Sequence, residues 1–511
     1  MTGMPYTTVR EALETGRDTD VAFLAPDRAA MTYADLRSHV DRTVAALNAN
    51  GIGRDDRVAI VLPNGPEMAS AFLAVASGAT TAPLNPAYRA EEFEFYLSDL
   101  NAKALLVEAG SASPVVGVAE KLGIPIIDVT VMADMPAGGF TLAPRGGAAQ
   151  PATNGGRAKP DDIALVLHTS GTTSRPKIVP LTQRNVAASA RHIGQTIALT
   201  REDRCLNIMP LFHIHGLIAA VLSTVAAGGS LYLTPGFNAL KFFAWLDEAR
   251  PSWYTAVPTM HQAILARAER NAESVAKATL RLIRSSSASL PPQVMKALEE
   301  TFRCPVIESY GMTEAAHQMA SNLLPPGKRK PGSVGVAAGP EVAIMAPDGA
   351  LLPHGSEGEV VIRGPNVTPG YENNPKANAE GFTDGWFRTG DQGVMDEEGY
   401  LRITGRIKEI INRGGEKVSP LEVDEIIMDH PAVQQVVTFA MPHDKLGEEV
   451  AAAVVLREGQ TATERELRDF AAGRLADFKV PRRIVILDEI PKGATGKLQR
   501  IGLAKKLELT A

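Results

Sequence analysis

The sequence predicts an α/β fold with largely parallel sheets, because helical and strand patterns alternate along the chain. Apolar residues recur at helical spacing over residues 33–48, and the short apolar run 58–62 follows them. The turn signal Asn-Gly-Pro at 64–66 then precedes a second helical stretch that begins at Glu67. At 511 residues the chain is longer than a single hydrophobic core usually supports, so we expect at least two domains.

The composition is that of an ordinary globular protein and argues against several functional classes. Hydrophobic residues make up 45% of the chain and charged residues 22%. The net charge of −6 indicates no basic surface of the kind that binds nucleic acid. Cys205 and Cys304 are the only cysteines, too few for a disulfide framework or a structural zinc site, which favours a reducing cytoplasm.

One long segment, residues 205–240, contains no Asp, Glu, Lys or Arg. Pro210 and the Gly228-Gly229 pair interrupt it, and its continuous apolar part, 217–227, is shorter than the ~20 residues that cross a bilayer. We therefore predict a buried helix followed by a buried strand, and no membrane span.

A Ser/Thr-rich loop with one lysine, residues 169–177, follows the apolar run 163–167. The run predicts a buried strand, and short side chains after it let backbone N–H groups approach phosphate oxygens. The loop lacks the second glycine of a Walker A motif, since Pro176 precedes Lys177. A plain surface loop is the alternative. The predicted nucleotide ligands in this loop are Thr169, Ser170, Gly171, Thr172, Thr173 and Lys177.

The second domain boundary is predicted near Lys408. Residues 419–422, Ser-Pro-Leu-Glu, have the pattern of a capping box with proline at the first helical position, and the helix should stop at 430–431, His-Pro. The remaining segment of about a hundred residues has an ordinary domain size. We divide the chain into residues 1–407 and 408–511.

Further motifs stand in the order and spacing of the adenylate-forming (ANL) superfamily, which the chain resembles over nearly its whole length. These motifs are Tyr310-Gly311-Met312-Thr313-Glu314, Thr389-Gly390-Asp391, Gly405-Arg406-Ile407-Lys408 with Gly414-Gly415, and Pro491 to Lys497. The resemblance implies a large N-terminal domain of parallel-rich sheets and a small mobile C-terminal α+β domain that turns at Lys408. It also implies an enzyme that activates a carboxylate with ATP as an acyl-AMP. Acyl-CoA synthetases of this superfamily then form a thioester with coenzyme A.

The resemblance assigns roles to residues of the large domain. Glu314 would hold Mg²⁺, which prefers one or two carboxylates together with phosphate oxygens. Thr313 would contact the α-phosphate and Tyr310 the nucleotide. Asp391 would accept both ribose hydroxyls, and Arg406 would supply a second ribose or phosphate contact. Cations and N–H donors are needed there because negative charge builds on phosphorus during the reaction.

Lys497 would be the main catalytic residue by the same resemblance, bridging the substrate carboxylate and the α-phosphate as a point charge on a flexible stem. After adenylation the small domain would rotate, so that Gly414 and Gly415 face the pantetheine thiol in a narrow tunnel. The loop 491–497 also resembles one that protein acyltransferases modify, which predicts a regulatory acyltransferase and deacylase acting on Lys497.

Two positions of the phosphate loop depart from the superfamily pattern, since Ser174 and Ile178 stand where relatives usually have glycine. Serine is conservative for a backbone cradle. An isoleucine would be unsuitable if the backbone there had a positive φ. The conformation after Lys177 is therefore left open.

Polar residues at the predicted acid pocket favour a short dicarboxylate, because a buried carboxylate must be hydrogen-bonded or charge-paired. Residues 285–289, Ser-Ser-Ser-Ala-Ser, replace the Gly-Gly-Ala-Pro-like run of relatives. Five segments resemble the oxalyl-CoA synthetases of plants and yeast: residues 284–290, 312–319, 330–335, 364–371 and 405–417. That subgroup implies oxalate as the acid, with His213, Ser287, Ser289 and His317 in its pocket and His213 also in a catalytic role.

Alternatives stay open at this point. The serines could line the adenine pocket and His317 could be a structural core histidine. A malonyl-CoA or medium-chain acyl-CoA synthetase would share every ATP motif. A nucleotide-binding protein without enzymatic activity is a further alternative.

Overall fold

The computed structural model describes residues 6–146, 150–169, 176–491 and 498–509. Two large sheets, I and II, belong to the first 340 residues or so of the chain and are mainly parallel. In spatial order, the strands of sheet I are Val336–Ala337, His317–Ser321, Val306–Met312, Leu282–Ser286, Trp253–Ala256, Arg204–Asn207, Ser230–Leu233, Val21–Leu24 and Met31–Thr32. Those of sheet II are Thr141–Pro144, Ile126–Thr130, Ala104–Glu108, Arg57–Val61, Thr80–Pro83, Ile163–Thr169 and Lys177–Thr182. The predicted α/β class is confirmed.

Helices cover both large sheets and form the main core between them. Longer helices of this part are Tyr33–Ala49, Pro66–Ala76, Ala90–Leu100, Pro114–Lys121, Gln183–Thr196, Phe242–Ala249, Pro258–Ala268 and Pro292–Phe302. Shorter helical pieces are Val9–Ala12, Leu13–Thr15, Ser223–Ala226, Glu269–Asn271, Ala272–Lys277, Thr313–Ala315 and Pro375–Gly381. One continuous apolar cluster joins residues of sheet I, sheet II and the helices between them.

The early elements match the sequence patterns that predicted them. The helix predicted over 33–48 is Tyr33–Ala49, and it begins with a capping box in which Thr32 and Asp35 exchange hydrogen bonds. The run 58–62 is the strand Arg57–Val61, and the helix expected from Glu67 is Pro66–Ala76 with proline in its first turn.

The uncharged segment 205–240 is a buried helix followed by a buried strand, as predicted. Its helical part is a π-type helix, His215–Leu222, that continues into the short α-helix Ser223–Ala226. Every residue of both helices is buried. The strand Ser230–Leu233 follows and lies inside sheet I. Within the described ranges, no helix has the length and apolar character that a bilayer crossing requires.

Two further sheets complete the fold. Sheet III is antiparallel and consists of Leu351–Leu352, Glu341–Met345, Glu357–Arg363, Trp386–Met395, Phe382–Thr383 and Leu401–Arg406. Sheet IV consists of Glu416–Val418, Ile411–Arg413, Gly447–Leu456, Val433–His443 and Arg483–Ile486. The helical pieces of this part are Ile407–Glu409, Pro420–Met428, Glu464–Ala472, Asp477–Lys479 and Leu503–Lys506.

The chain passes from sheet III to sheet IV between Arg406 and Ile411, through a short turn that contains Lys408. Lys408 is exposed there. Sheet IV has apolar clusters of its own, against the helices Pro420–Met428 and Glu464–Ala472. The domain division at Lys408 and the hinge motion stay predictions.

The predicted helix after Ser419 is present, but the capping box is wrong. The helix runs from Pro420 to Met428, and the Ser419 side chain caps none of its N–H groups. Its hydroxyl donates instead to the backbone carbonyl of Thr404. The Ser419 hydroxyl thus bonds to the last strand of sheet III instead of to its own helix, and this contact connects the start of the helix to the neighbouring sheet.

Candidate active site

The motif Tyr310–Glu314 lies where the parallel strand Val306–Met312 of sheet I ends, an edge at which α/β proteins commonly bind ligands. Gly311 allows an unusually close approach there, because a Cβ at this position would lie 2.0 Å from the carbonyl oxygen of His317. The antiparallel pairing of this strand with His317–Ser321 therefore brings the predicted nucleotide motif and a predicted acid-pocket residue together.

Asp391 contacts two other residues, Tyr310 and Arg406, and the three residues come from three separate sequence motifs. It is buried, and its two carboxylate oxygens accept from different donors. The Tyr310 hydroxyl donates to Oδ2 at 2.5 Å, and Arg406 Nε donates to Oδ1 at 3.0 Å. Burial and the neighbouring Asp391 raise the pKa of Tyr310, while Asp391 raises the pKa of Arg406. The negative charge of Asp391 is therefore compensated by Arg406, and the two hydrogen bonds hold its carboxylate in one orientation.

Glu314 is buried beside two cations and a tyrosine. Its Oε1 accepts a hydrogen bond from the Tyr371 hydroxyl at 2.8 Å, and Lys177 Nζ lies 4.3 Å from the centre of the Tyr371 ring. Burial raises the pKa of Glu314, and the positive charges of Arg406 and Lys177 counteract this. Burial therefore disfavours the ionised form of Glu314, and its protein neighbours offset this only in part.

The segment 364–371 holds Tyr371 in this position. Asn366 Nδ2 donates to the carbonyl oxygens of Ala315 and Gln318, at 2.8 and 2.9 Å. Thr368 donates from its backbone to the Glu314 carbonyl at 2.7 Å. Sequence analysis recognised this segment only as part of a resemblance and missed Tyr371 as a site residue. Its signal was the conspicuous Gly-Pro-Asn-Val-Thr-Pro-Gly-Tyr run.

The phosphate loop is described only at its two ends. Thr169 and Lys177 are paired in register on the antiparallel strands that flank it, so its ends are fixed beside each other. Ser170, Gly171, Thr172 and Thr173 lie outside the described residues, as does Ser174. Ile178 is buried in the strand Lys177–Thr182 without a positive φ, which removes the doubt about a β-branched residue at this position.

A buried polar cluster lies on the other side of the Tyr310–Glu314 motif, and its centre is His215. His215 Nδ1 is 3.0 Å from Ser287 Oγ, and His215 Nε2 is 2.6 Å from Thr255 Oγ1. The rings of His215 and His317 lie 5.0 Å apart. His213 is half-buried next to them, and its Nδ1 accepts from the His215 backbone N–H at 3.3 Å.

The structure thus brings three of the four predicted acid-pocket residues around His215. Ser287 and His317 both have a positive φ, 75° and 103°, so their backbones are held in uncommon conformations at this cluster. Ser289 is exposed, on the loop that leads to the helix Pro292–Phe302. Sequence analysis missed His215, although it lies two residues after His213 in the same Pro-Leu-Phe-His-Ile-His run.

Arg284 is a second residue that the sequence reading passed over. It lies on the strand Leu282–Ser286, is fully buried, and reaches Gln318 Oε1 at 3.2 Å and His317 Nδ1 at 3.5 Å through Nη2. Burial lowers its pKa to about 9, which leaves the guanidinium charged at neutral pH. The available signal was a long charged side chain directly after the apolar pair Leu282 and Ile283.

The residues predicted for the second half-reaction lie farther along the chain. Gly414 and Gly415 form the turn between Ile411–Arg413 and Glu416–Val418, with φ of 60° and 102°. A Cβ at Gly415 would meet no atom within 4 Å. In this arrangement glycine is favoured by the positive φ of the backbone and not by steric crowding around the position. Lys497 lies outside the described residues.

Comparison with known proteins agrees with this arrangement. A family described as AMP-binding enzyme matches residues 10–372, and one described as AMP-binding enzyme C-terminal domain matches residues 422–497. The chain belongs to the AMP-binding enzyme family, and its predicted membership of the adenylate-forming superfamily is confirmed.

Individual relatives are similar over nearly their whole length. The oxalate–CoA ligase of Arabidopsis thaliana is 47% identical over 494 residues, covering 94% of this chain and 96% of the relative. The oxalate–CoA ligase of Saccharomyces cerevisiae is 42% identical over 517 residues, covering 95% and 94%. Among solved structures, ATP-bound MatB from Rhodopseudomonas palustris superposes with a TM-score of 0.86 at 29% identity, covering 98% of both chains.

Proposed function

We propose that this protein is an AMP-forming acid:CoA ligase that converts oxalate, ATP and coenzyme A into oxalyl-CoA, AMP and pyrophosphate. The observation that carries the proposal is the buried polar cluster of His215, Ser287 and His317, which adjoins the nucleotide motif at Gly311. A long apolar acid would bury its chain against these polar groups, whereas a small dianion can accept hydrogen bonds from hydroxyl and imidazole groups. The oxalate–CoA ligases that are similar to this chain support the same acid.

ATP is assigned to the edge of sheet I formed by the Tyr310–Glu314 motif and the phosphate loop. Asp391, oriented by Tyr310 and Arg406, has acceptor capacity left for ribose hydroxyls. Thr313 faces the same edge from the turn Thr313–Ala315 and is the proposed α-phosphate contact. Thr169, Lys177 and the intervening loop residues are the proposed triphosphate ligands.

The residues present fit a magnesium ion at Glu314. Burial raises the pKa of this carboxylate, and a divalent cation beside it would favour the ionised form. One carboxylate is sufficient on the protein side, because Mg²⁺ takes its other ligands from phosphate oxygens and water. When bound, the ion would neutralise charge on the transferred phosphate group.

In the first half-reaction, an oxygen of the acid forms a bond to the α-phosphorus of ATP. The bond from that phosphorus to the oxygen bridging the β-phosphate breaks, and pyrophosphate leaves. Lys497 is proposed to neutralise the carboxylate and the α-phosphate as they approach, and His213 and His317 to hold the acid.

In the second half-reaction, the thiol of coenzyme A loses its proton to solvent and its sulfur attacks the acyl carbon. The bond from that carbon to the AMP oxygen breaks, and AMP leaves. Residues 408–511 are proposed to turn at Lys408 between the two steps, which withdraws Lys497 and brings Gly414 and Gly415 towards the thiol.

A substrate screen tests the proposal. Pyrophosphate release and thioester formation are measured with oxalate, malonate and octanoate, each with and without coenzyme A. We expect oxalate to give the highest kcat/KM. A preference for octanoate would reassign the protein to the longer-chain ligases, a preference for malonate would change the acid only, and no acid-dependent pyrophosphate release would leave a nucleotide-binding protein without this activity.

Regulation by lysine acylation in a cytoplasmic setting is a finer part of the proposal. Acetylation of Lys497 would remove the charge that the first half-reaction uses. Incubation with a protein acyltransferase and acetyl-CoA should lower activity, and a deacylase should restore it. Mass spectrometry that finds Lys497 unmodified, while a known target in the same mixture is acetylated, would exclude this regulation.

A further inference from the structure

Arg284 carries a positive charge that no described carboxylate compensates. Its side chain is fully buried, and neither Nε nor Nη1 has a hydrogen-bond partner among the described residues. Its remaining nitrogen, Nη2, donates to the amide oxygen of Gln318 at 3.2 Å and lies 3.5 Å from Nδ1 of His317, and neither is a carboxylate. A buried charge without a counter-ion is strongly destabilising, so its presence indicates an anion that arrives with a ligand.

The strand register shows which side of sheet I the guanidinium faces. Arg284 and Thr255 are in-register neighbours on parallel strands, so their side chains project from the same face. Thr255 contacts His215 at 2.6 Å on that face, and His215 lies against His317. Arg284 therefore belongs to the same buried polar cluster as the proposed acid pocket.

We propose that Arg284 is the specificity-determining residue of the acid pocket, where it binds the distal carboxylate of a short dicarboxylic acid. This inference rests on the proposed function and names the group that selects the acid. The two unpartnered nitrogens provide N–H donors in the rigid fork that suits a carboxylate. A monocarboxylic acid of the same size would leave the guanidinium unpaired, which disfavours its binding.

The charge balance of the cluster explains why the acid is a dianion. One carboxylate must reach the α-phosphate and becomes part of the acyl-AMP, so it cannot remain as the partner of Arg284. A second carboxylate is the group that stays in the pocket through both half-reactions. His317 and Ser287 then supply hydrogen bonds, with Ser287 positioned by His215, while Arg284 supplies the charge.

The central test compares Arg284→Met, which keeps side-chain length without charge, with the unmodified enzyme. We expect kcat/KM for oxalate to fall by on the order of 100-fold or more, because a buried ligand charge loses its partner. The KM for ATP should change by less than about threefold, and the ratio of oxalate to acetate use should collapse. Arg284→Lys should recover part of the oxalate activity, since a lysine restores the charge without the fork.

Thermal unfolding separates a binding role from a structural one. Without ligand, Arg284→Met should be at least as stable as the parent, because the substitution removes an uncompensated buried charge. With AMP already saturating in both proteins, added oxalate should raise the Tm of the parent further and leave that of Arg284→Met unchanged.

Arg281→Met is the matched control. Arg281 lies three positions earlier and is paired with Asp203 through Nε at 2.6 Å and Nη2 at 2.9 Å. Its loss should lower Tm, since Asp203 is then left without its partner, but should not change the oxalate-to-acetate ratio.

The outcomes distinguish this inference from the function on which it rests. If the parent uses oxalate and Arg284→Met does so within about threefold, the Arg284 assignment is wrong and the ligase assignment survives. The assignment is equally wrong if Arg284→Met has a lower Tm than the parent and a kcat/KM that falls to the same extent for every acid. If the parent prefers malonate, the same variant must lose malonate relative to acetate for the inference to hold. A parent that prefers monocarboxylic acids overturns both.

Discussion

The nucleotide side and the acid side of this site differ in how their charges are compensated. On the nucleotide side, Asp391 is paired with Arg406, and Glu314 lies beside Tyr371 and Lys177. On the acid side, His215 is fixed between two hydroxyl groups, but Arg284 has no anionic partner among the described residues. Charged groups on the nucleotide side thus have charged or hydrogen-bonding partners within the protein, whereas we propose that the charge on the acid side is paired by its ligand.

This difference fits the chemistry proposed for each side. ATP is common to every acid that such an enzyme could activate, so rigid placement of the phosphates serves catalysis. Discrimination between acids depends instead on which polar or charged groups of the pocket an unsuitable acid would leave without a partner. An uncompensated buried cation penalises every acid that lacks a second carboxylate.

The largest expected effect divides the two half-reactions. Lys497→Ala should lower adenylation by about 100-fold to 1000-fold, the usual loss when an electrostatic contact to the transition state is removed. Thioester formation from supplied oxalyl-AMP should persist, because that step is proposed to occur after Lys497 has been withdrawn. Single-turnover assays of each half-reaction measure this.

Gly415→Leu is the reciprocal variant. It forces a branched side chain onto a backbone with φ of 102°, and it should impair thioester formation more than adenylation. Equal loss of both half-reactions in both folded variants would contradict the two-state proposal.

His317→Ala should have the next largest effect and should be confined to the acid. Losing a hydrogen bond to a charged group costs about 1.5 to 3 kcal/mol, which predicts roughly a tenfold to hundredfold fall in kcat/KM for oxalate. The KM for ATP should change little. Steady-state kinetics in both substrates test this, and a parallel rise in the ATP KM would show that the two sides are not separable.

Ser289→Ala serves as the comparison for that variant. The sequence reading put Ser289 in the oxalate pocket, but its side chain is exposed, whereas His317 is buried. We expect less than about a threefold change in kcat/KM for oxalate, in the range of ordinary surface substitutions. A loss as large as that of His317→Ala would mean that the loop before Pro292–Phe302 closes over the acid.

Tyr371→Phe tests the nucleotide side. The substitution removes the 2.8 Å hydrogen bond to Glu314 and keeps the ring under Lys177. We expect roughly a tenfold to hundredfold lower kcat/KM for ATP, with a higher magnesium concentration needed for half-maximal rate, since a hydrogen bond to a charged group contributes about 1.5 to 3 kcal/mol. An unchanged magnesium requirement would argue against Glu314 as the metal ligand.

Thr255→Val should produce a smaller change than His317→Ala. Thr255 holds His215 at 2.6 Å without lying in the proposed contact with the acid, so its loss alters only the orientation of the imidazole. A fall of about threefold to tenfold in kcat/KM for oxalate is expected, matching one lost neutral hydrogen bond. The same assay with acetate provides the reference, because a general packing defect would lower both acids equally.

The sequence by itself determined the class of fold and the family. Alternating periodicities fixed the helix Tyr33–Ala49 and the strand Arg57–Val61, because each depends on spacing within a short segment. Ordered motifs identified the ATP-dependent family, since their spacing carries information that no single motif has. The same local reasoning predicted a capping box at Ser419 and was wrong there, because the Ser419 hydroxyl donates to the carbonyl of Thr404 in another sheet.

Only the tertiary structure decided how the acid pocket is built. His215 and Arg284 became candidates for the proposed acid pocket because a π-type helix and the parallel strands of sheet I bring them together with His317. Burial cannot be read from a single position, and the histidines and the arginine would each pass for a solvated or structural residue in the sequence. The decisive observation is that Arg284 has no counter-charge among the described residues, and only the positions of its neighbours in space can show this.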